Sequence, residues 1–202
     1  MTLDIHNDIK KKLDIYIKNH KIPNIIFHGS SGCGKKEIVK EFINKIYNDD
    51  REQIKTNVMI VNCSHGGGIK FIREELKFFA KSNINYKVDN IFKSIILLNA
   101  DNLTTDAQSA LRRCIELFSN TSRFFIIIEN KYKLLKPIIS RFCDIYVPIP
   151  LIRNKQVNLH KHNINVVFNN KKMEKYTNIW LKRELGNINT NSKKIIKKSN
   201  PK

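Results

Sequence analysis

The residues with the plainest chemistry stand together: Gly29-Ser30-Ser31-Gly32-Cys33-Gly34-Lys35-Lys36 satisfies the pattern GxxxxGK. An apolar run, Asn24–His28, leads into it, and a segment of helical period, Lys35–Tyr47, leaves it. That context is the one in which such a loop cradles phosphate. Glycines let consecutive backbone N–H groups turn inward around phosphate oxygens, and the helix N-terminus adds positive potential. The implied ligand is a nucleoside phosphate, ATP or ADP, with Lys35 bridging the outer phosphates. In the usual motif a Ser or Thr follows the lysine and its hydroxyl coordinates Mg²⁺. Here Lys36 takes that place, and an ammonium can only donate. The plain alternative is a Gly-rich strand-to-helix turn with no ligand.

The elements that must position this loop follow from apolar patterning. Five short runs read as strands: Asn24–His28, Val58–Asn62, Ser94–Leu98, Phe124–Ile128 and Asp144–Val147. Helical segments alternate with them, over Lys35–Tyr47, Gly68–Lys81 and a stretch entered at Thr104. In the last, Ala107, Ala110, Leu111, Cys114, Ile115 and Phe118 share one face. Strands alternating with helices, joined by short connections of one hand, predict an α/β fold with an open, doubly wound, five-stranded parallel sheet sandwiched by helices.

Composition narrows the class further. Of 202 residues 41% are apolar, so a sizeable core is available, and no eighteen-residue uncharged apolar run reads as a membrane span. The N-terminus carries no secretory pattern, and the expected setting is intracellular, in nucleus or cytoplasm. Cys33, Cys63, Cys114 and Cys143 are scattered, which speaks for reduced thiols and against a zinc site. Thirty-seven Lys and Arg against 18 Asp and Glu give a net charge of +19. Such a field favours polyanions, nucleic acid above all, although an AT-rich codon bias would produce similar counts. Residues 1–150 hold 24 basic and 16 acidic side chains, while residues 151–202 hold 13 and 2. A boundary is therefore placed near Pro148-Ile149-Pro150. Beyond it lies a Lys/Asn-rich basic segment with one short helix candidate, Met173 to Leu185.

Further motifs carry a family resemblance. Asn99-Ala100-Asp101-Asn102-Leu103-Thr104 is followed by Asp106-Ala107-Gln108, Ala110-Leu111-Arg112-Arg113 and Glu116. Ile22-Pro23-Asn24 precedes the phosphate loop, Asn62-Cys63-Ser64 ends the second strand, Arg123-Phe124 opens the fourth, and Ser140-Arg141 closes the series. In this order, over roughly residues 8–150, the chain resembles the AAA+ domain of the small subunits of replication factor C, the sliding-clamp loader. The resemblance implies a nucleotide-binding domain over residues 1–150, clamp-loader partners, the sliding clamp, and DNA held by phosphate contacts. Members of that family continue into a helical lid and collar. The fifty-two remaining residues are not expected to make both, so stable incorporation into a ring is expected only where partners hold the AAA+ faces alone.

Set against the family's Asp-Glu-Ala-Asp, Leu98 replaces the Asp that orients magnesium and Asn99 the Glu that positions the attacking water. With Lys36, three groups serving metal or water are replaced, so hydrolysis at the chain's own site is expected to be impaired and Mg²⁺ is not expected there. Lys36 instead suggests a fixed positive charge in place of the metal; its rival is a loop plugged by that lysine. The resemblance makes Arg141, and second Arg112, candidates for an arginine acting on a neighbour's γ-phosphate. Asn130 stands at the sensor position, with loop capping as the alternative. Lys70 and Arg73, after Gly66-Gly67-Gly68, are the candidate DNA contacts, positioning without reading sequence.

The leading expectation is a clamp-loader small-subunit-like protein working in DNA replication. Its rivals are an autonomous P-loop ATPase and a basic DNA-binding protein on a relict AAA+ scaffold.

Overall fold

The computed structural model describes residues 5–64, 70, 72–81, 92–152 and 155–161, with the backbone alone at Arg73 and Ile152. The helix expected over Met173 to Leu185 lies outside them. By internal contacts the chain divides into two units, Met1–Asn158 and Leu159–Lys202, and the fold below is that of the first.

A first helix, α1 (Asn7–Lys18), leads into β1 (Ile25–His28), the phosphate loop and α2 (Lys35–Ile46). Then come α3 (Arg51–Asn57), β2 (Val58–Asn62), a π-helical turn at Ile72–Leu76 running into α4 (Lys77–Lys81), and β3 (Lys93–Leu98). The chain continues through α5 (Thr105–Leu117), β4 (Ser122–Ile128), α6 (Lys136–Ile139) and β5 (Cys143–Tyr146). A two-residue antiparallel pair, β6 (Leu151–Ile152) and β7 (Lys155–Gln156), follows.

The five strands β1 to β5 form one sheet in the order β2-β3-β4-β1-β5, every neighbour parallel. This is the predicted architecture. Strand pleating divides the core into two layers. On one face Ile26, Ile95, Leu97, Phe124, Ile126 and Ile128 meet Leu111 and Ile115 of α5 and Leu76. On the other, Ile25, Phe27, Ile96, Phe125, Ile127 and Ile145 meet Val39, Phe42 and Ile43 of α2 and Leu13 of α1. Continuous β-branched runs suit strands covered on both sides, which is why they stand out in the sequence.

Local chemistry fixes the helix entries. Thr104 caps α5 by accepting from the Ala107 N–H, as its position predicts. Asp50 caps α3 by accepting from the N–H groups of Glu52 and Gln53. Helices α1, α3 and α6 and the β6–β7 pair were not among the expected elements. Three of these are too short for periodicity to register, and in α1 the run Lys10-Lys11-Lys12 breaks up the apolar stripe of Ile9, Leu13, Tyr16 and Ile17. Residues 68, 69 and 71 of the helix expected over Gly68–Lys81 lie outside the described residues; from Ile72 the backbone is π-helical before it turns α-helical.

Candidate functional site

The phosphate loop leaves β1 at the sheet's C-terminal edge, between β4 and β5, where open parallel sheets place their ligands. Gly29 has φ +149, and a Cβ there would lie 2.2 Å from the carbonyl oxygen of Val147. No other residue type fits this bend without moving backbone. Gly34 caps α2 at φ 99, so the first turn of α2 presents its N–H groups toward the loop.

Lys35 is only 8% exposed, and its Nζ donates to the carbonyl oxygens of Gly29 at 2.6 Å and Ser30 at 2.8 Å. Lys36 lies exposed on the first turn of α2. The ammonium folded into the loop therefore belongs to Lys35, whereas a lysine plug would have required Lys36. Two more side chains hold the loop from outside it. His6 Nε2 lies 2.8 Å from the Cys33 carbonyl oxygen, and Asn158 Nδ2 donates to the Ser31 carbonyl at 2.8 Å. Asn158 also sits where a Cβ on Gly32 would go, 2.1 Å from its Oδ1. Neither contact is announced in the sequence, because separations of 27 and 127 residues leave no local pattern.

At the end of β3, Leu98 is half-buried and packs on the α2-side core, while Asn99 is exposed with φ 53. Asn99 Nδ2 donates to Asn62 Oδ1 at 2.9 Å, and Asn102 Nδ2 donates to Ser64 Oγ at 2.9 Å. These bonds tie the ends of β2 and β3 together. Asp101 turns away from them, accepting from the N–H groups of Glu129 at 3.0 Å and Asn130 at 3.1 Å. It is a loop carboxylate that fixes the end of β4. Asn130 caps the turn after β4 through the Tyr132 N–H, at 2.9 Å.

The residues at the metal positions do not fit magnesium. A hydrated divalent cation needs oxygen ligands, and positions 36 and 98 offer an ammonium and an isobutyl group. Among the described residues no group of three or more His, Cys, Asp and Glu is placed to hold a metal ion.

Next to the loop, His28 Nε2 lies 2.6 Å from Asp144 Oδ1, and Lys131 also reaches Asp144. Burial holds the His28 imidazole below its ordinary pKa; the Lys131 and Lys35 cations act in the same sense, against Asp144.

On the other side of the sheet the two candidate arginines share one carboxylate. Glu116 Oε1 accepts from Arg112 Nε at 3.0 Å and lies 2.7 Å from Arg141 Nη2. Arg141 also donates to the Pro137 carbonyl, closing α6. Arg112, Arg113 and Glu116 line an open groove of about 1120 Å³ with Asp106, Ser109 and Pro137. Of the candidate DNA contacts, Lys70 is exposed, and the Arg73 side chain lies outside the described residues.

Comparison with known proteins identifies relatives of this chain. A probable replication factor C subunit 5 from Dictyostelium discoideum is 33% identical over 166 residues, covering 80% of this chain and 47% of the relative. The replication factor C small subunit of Halobacterium salinarum is 37% identical over 144 residues, covering 70% and 42%. Replication factor C subunit 2 of Schizosaccharomyces pombe is 35% identical over 143 residues, covering 69% and 41%. The chain is a homologue of the replication factor C small subunits. It spans about half the length of the relatives it matches. No family model matches it. Among solved structures, a DNA polymerase III gamma subunit-related protein from Thermotoga maritima superposes with TM-score 0.57 at 18% identity, covering 68% of this chain and 46% of that one. A point variant of RuvB from Thermotoga maritima gives 0.52 at 16%, covering 75% and 48%. At such identities the likeness is one of fold alone.

Proposed function

We propose that the chain acts in DNA replication as a clamp-loader small subunit whose own P-loop holds ATP or ADP and hydrolyses it poorly, and which contributes Arg141 to the nucleotide of a neighbouring subunit. The observation that carries this is the pairing of two facts in one chain. Homology to replication factor C small subunits runs over 69–80% of the chain in the relatives above, while Lys36, Leu98 and Asn99 stand where the resemblance puts the groups that serve metal and water.

Phosphoryl transfer is accelerated almost wholly by charge neutralisation and positioning. A P-loop without an orienting carboxylate for water keeps the means to bind phosphate and loses most of the means to cleave it. The arginine is different, because its work is done at another subunit's γ-phosphate and needs nothing from this chain's own loop. Arg141 is the finger in this reading, and Arg112 steadies the carboxylate beside it. Asn130 serves as a capping residue after β4. The partners are the ATPase subunits of the loader, the sliding clamp, and DNA touched through phosphates by Lys70 and Arg73. The setting is intracellular, where DNA is replicated.

Affinity purification of the full chain from its native source tests the proposal. Recovery of other clamp-loader subunits is the expected result. A second reading, a basic DNA-binding protein on a relict AAA+ scaffold, draws on the 13 basic and 2 acidic residues beyond position 150. Duplex binding without loader partners, lost on removal of residues 151–202, would favour it.

A further inference from the structure

We infer that Lys36 supplies the counter-charge at this P-loop, so that the site takes a nucleoside di- or triphosphate without any divalent cation. The inference deepens the proposed function at the same loop, and rests on the loop's binding nucleotide rather than on the clamp-loader role.

The loop has the backbone for an anion, while positions 36 and 98 offer no oxygen to a metal. Gly29 and Gly34 hold it in the bend that a phosphate cradle needs, and α2 begins directly behind it. The usual pairing of hydroxyl and carboxylate around the cation is absent, since position 36 is Lys and position 98 is Leu. Two carboxylates near the sheet's C-terminal edge are engaged: Asp101 accepts two backbone N–H groups, and Asp144 is bound by His28 and Lys131. What surrounds the loop is cationic instead. Lys35 is buried within it, and Lys131 stands close enough to His28, the residue before Gly29, to lower its proton affinity. A divalent cation entering here would meet repulsion, and neither position 36 nor position 98 gives it an oxygen ligand from the protein.

Lys36 is suited to the task that the metal performs elsewhere. It is exposed, and no hydrogen bond or ion pair engages it among the described residues. Its four-carbon stem starts in the first helical turn, beside the N–H groups that face the phosphates, and its ammonium offers three donors. An ammonium neutralises phosphate charge and orients no water. The same substitution that permits metal-free binding therefore also disfavours hydrolysis.

The test is calorimetric titration of the full chain with ATP and with ADP, in excess EDTA and in excess MgCl₂. Wild-type affinity is expected to be equal in the two conditions or higher in EDTA. Lys36→Thr and Lys36→Gln are expected to lose about tenfold or more in EDTA, the size of one charge-assisted contact, and Lys36→Arg to retain most of the affinity. Thermal melts of the variants confirm that the exposed substitutions leave the fold intact. Binding that vanishes in EDTA, Lys36→Thr and Lys36→Gln binding as tightly as wild type in EDTA, or no binding in either condition would each overturn the inference. Recovery of loader subunits with a chain that binds no nucleotide would do so while leaving the proposed role in the complex standing.

Discussion

Glu116 holds Arg141 in place: Oε1 of the one lies 2.7 Å from Nη2 of the other, and the same oxygen accepts from Arg112 Nε at 3.0 Å. The contact joins the last turn of α5 to the end of α6 across an exposed surface, where ion pairs add little to stability. Its value is directional. A long side chain that must meet a phosphate on another molecule loses less entropy on binding when it is already oriented.

In a complex reconstituted with the ATPase subunits, Arg141→Ala is therefore expected to lower the neighbour's ATP turnover by roughly 10³ or more, the scale of an arginine finger. Glu116→Ala is expected to lower it less, while leaving the melting temperature of the isolated chain almost unchanged. Restoration of rate by Glu116→Gln, which keeps the acceptor oxygen, would point to orientation rather than charge. Turnover that ignores Arg141→Ala would remove this residue from the mechanism.

Two glycines of the loop differ in what surrounds them. At Gly29 the obstacle to a Cβ is the Val147 backbone, whereas at Gly32 it is the end of the Asn158 side chain. Gly29→Ala is expected to cost about 2–3 kcal/mol in urea unfolding, through strain that nothing can relieve. Gly32→Ala is expected to cost less in the background of Asn158→Ala than in the wild type. Additive costs in that double-mutant cycle would mean that the Asn158 contact with the loop does not form in solution.

The His28 imidazole is pushed below its ordinary pKa chiefly by burial, with Lys131 and Lys35 acting in the same sense and Asp144 opposing. Between that lowered value and the ordinary one near 6.5 the unfolded chain binds more protons than the folded one, so stability rises with pH in this window. The contribution is present above about pH 6.5 and is lost as pH falls through the folded value. Stability of wild type is expected to decline on acidification below neutrality, and His28→Gln to flatten that decline. A variant whose pH profile overlays the wild type would assign the slope to other groups.

Much of this fold is legible in the sequence because a parallel sheet covered on both faces is written in continuous apolar runs. Lys93–Leu98 and Ser122–Ile128 each extend one or two residues before the expected start, where Lys93 and Ser122 hide the strand's beginning. Lys93 is 2% exposed, and its ammonium donates to the Phe79 carbonyl at 2.7 Å, a placement that no local pattern announces. The loop itself was legible as a motif. His6 and Asn158 were not, since tertiary folding alone brings them to it. Glu116 had a usable signal, as it stands four residues after Arg112 on one helical face.

Restoring the replaced groups offers the strictest trial of the reading, because three substitutions must act together. Lys36→Thr returns a hydroxyl, Leu98→Asp a carboxylate for the cation, and Asn99→Glu a base for water. Each alone leaves the other two defects in place, so single variants are expected to show no gain in ATP turnover. The triple variant is expected to gain Mg²⁺-dependent turnover in the reconstituted complex, where a neighbouring subunit can supply the arginine. The gain is limited by two local costs. Position 99 sits at φ 53, which a Glu adopts at a cost of about 1 kcal/mol or more, and the half-buried Leu98 packs on the α2-side core, where a carboxylate loses hydration. Loss of the Asn99–Asn62 bond in the same variant also frees the end of β2. Wild-type turnover equal to that of the triple variant, and abolished by Lys35→Ala, would mean that this loop hydrolyses ATP with the residues it already has.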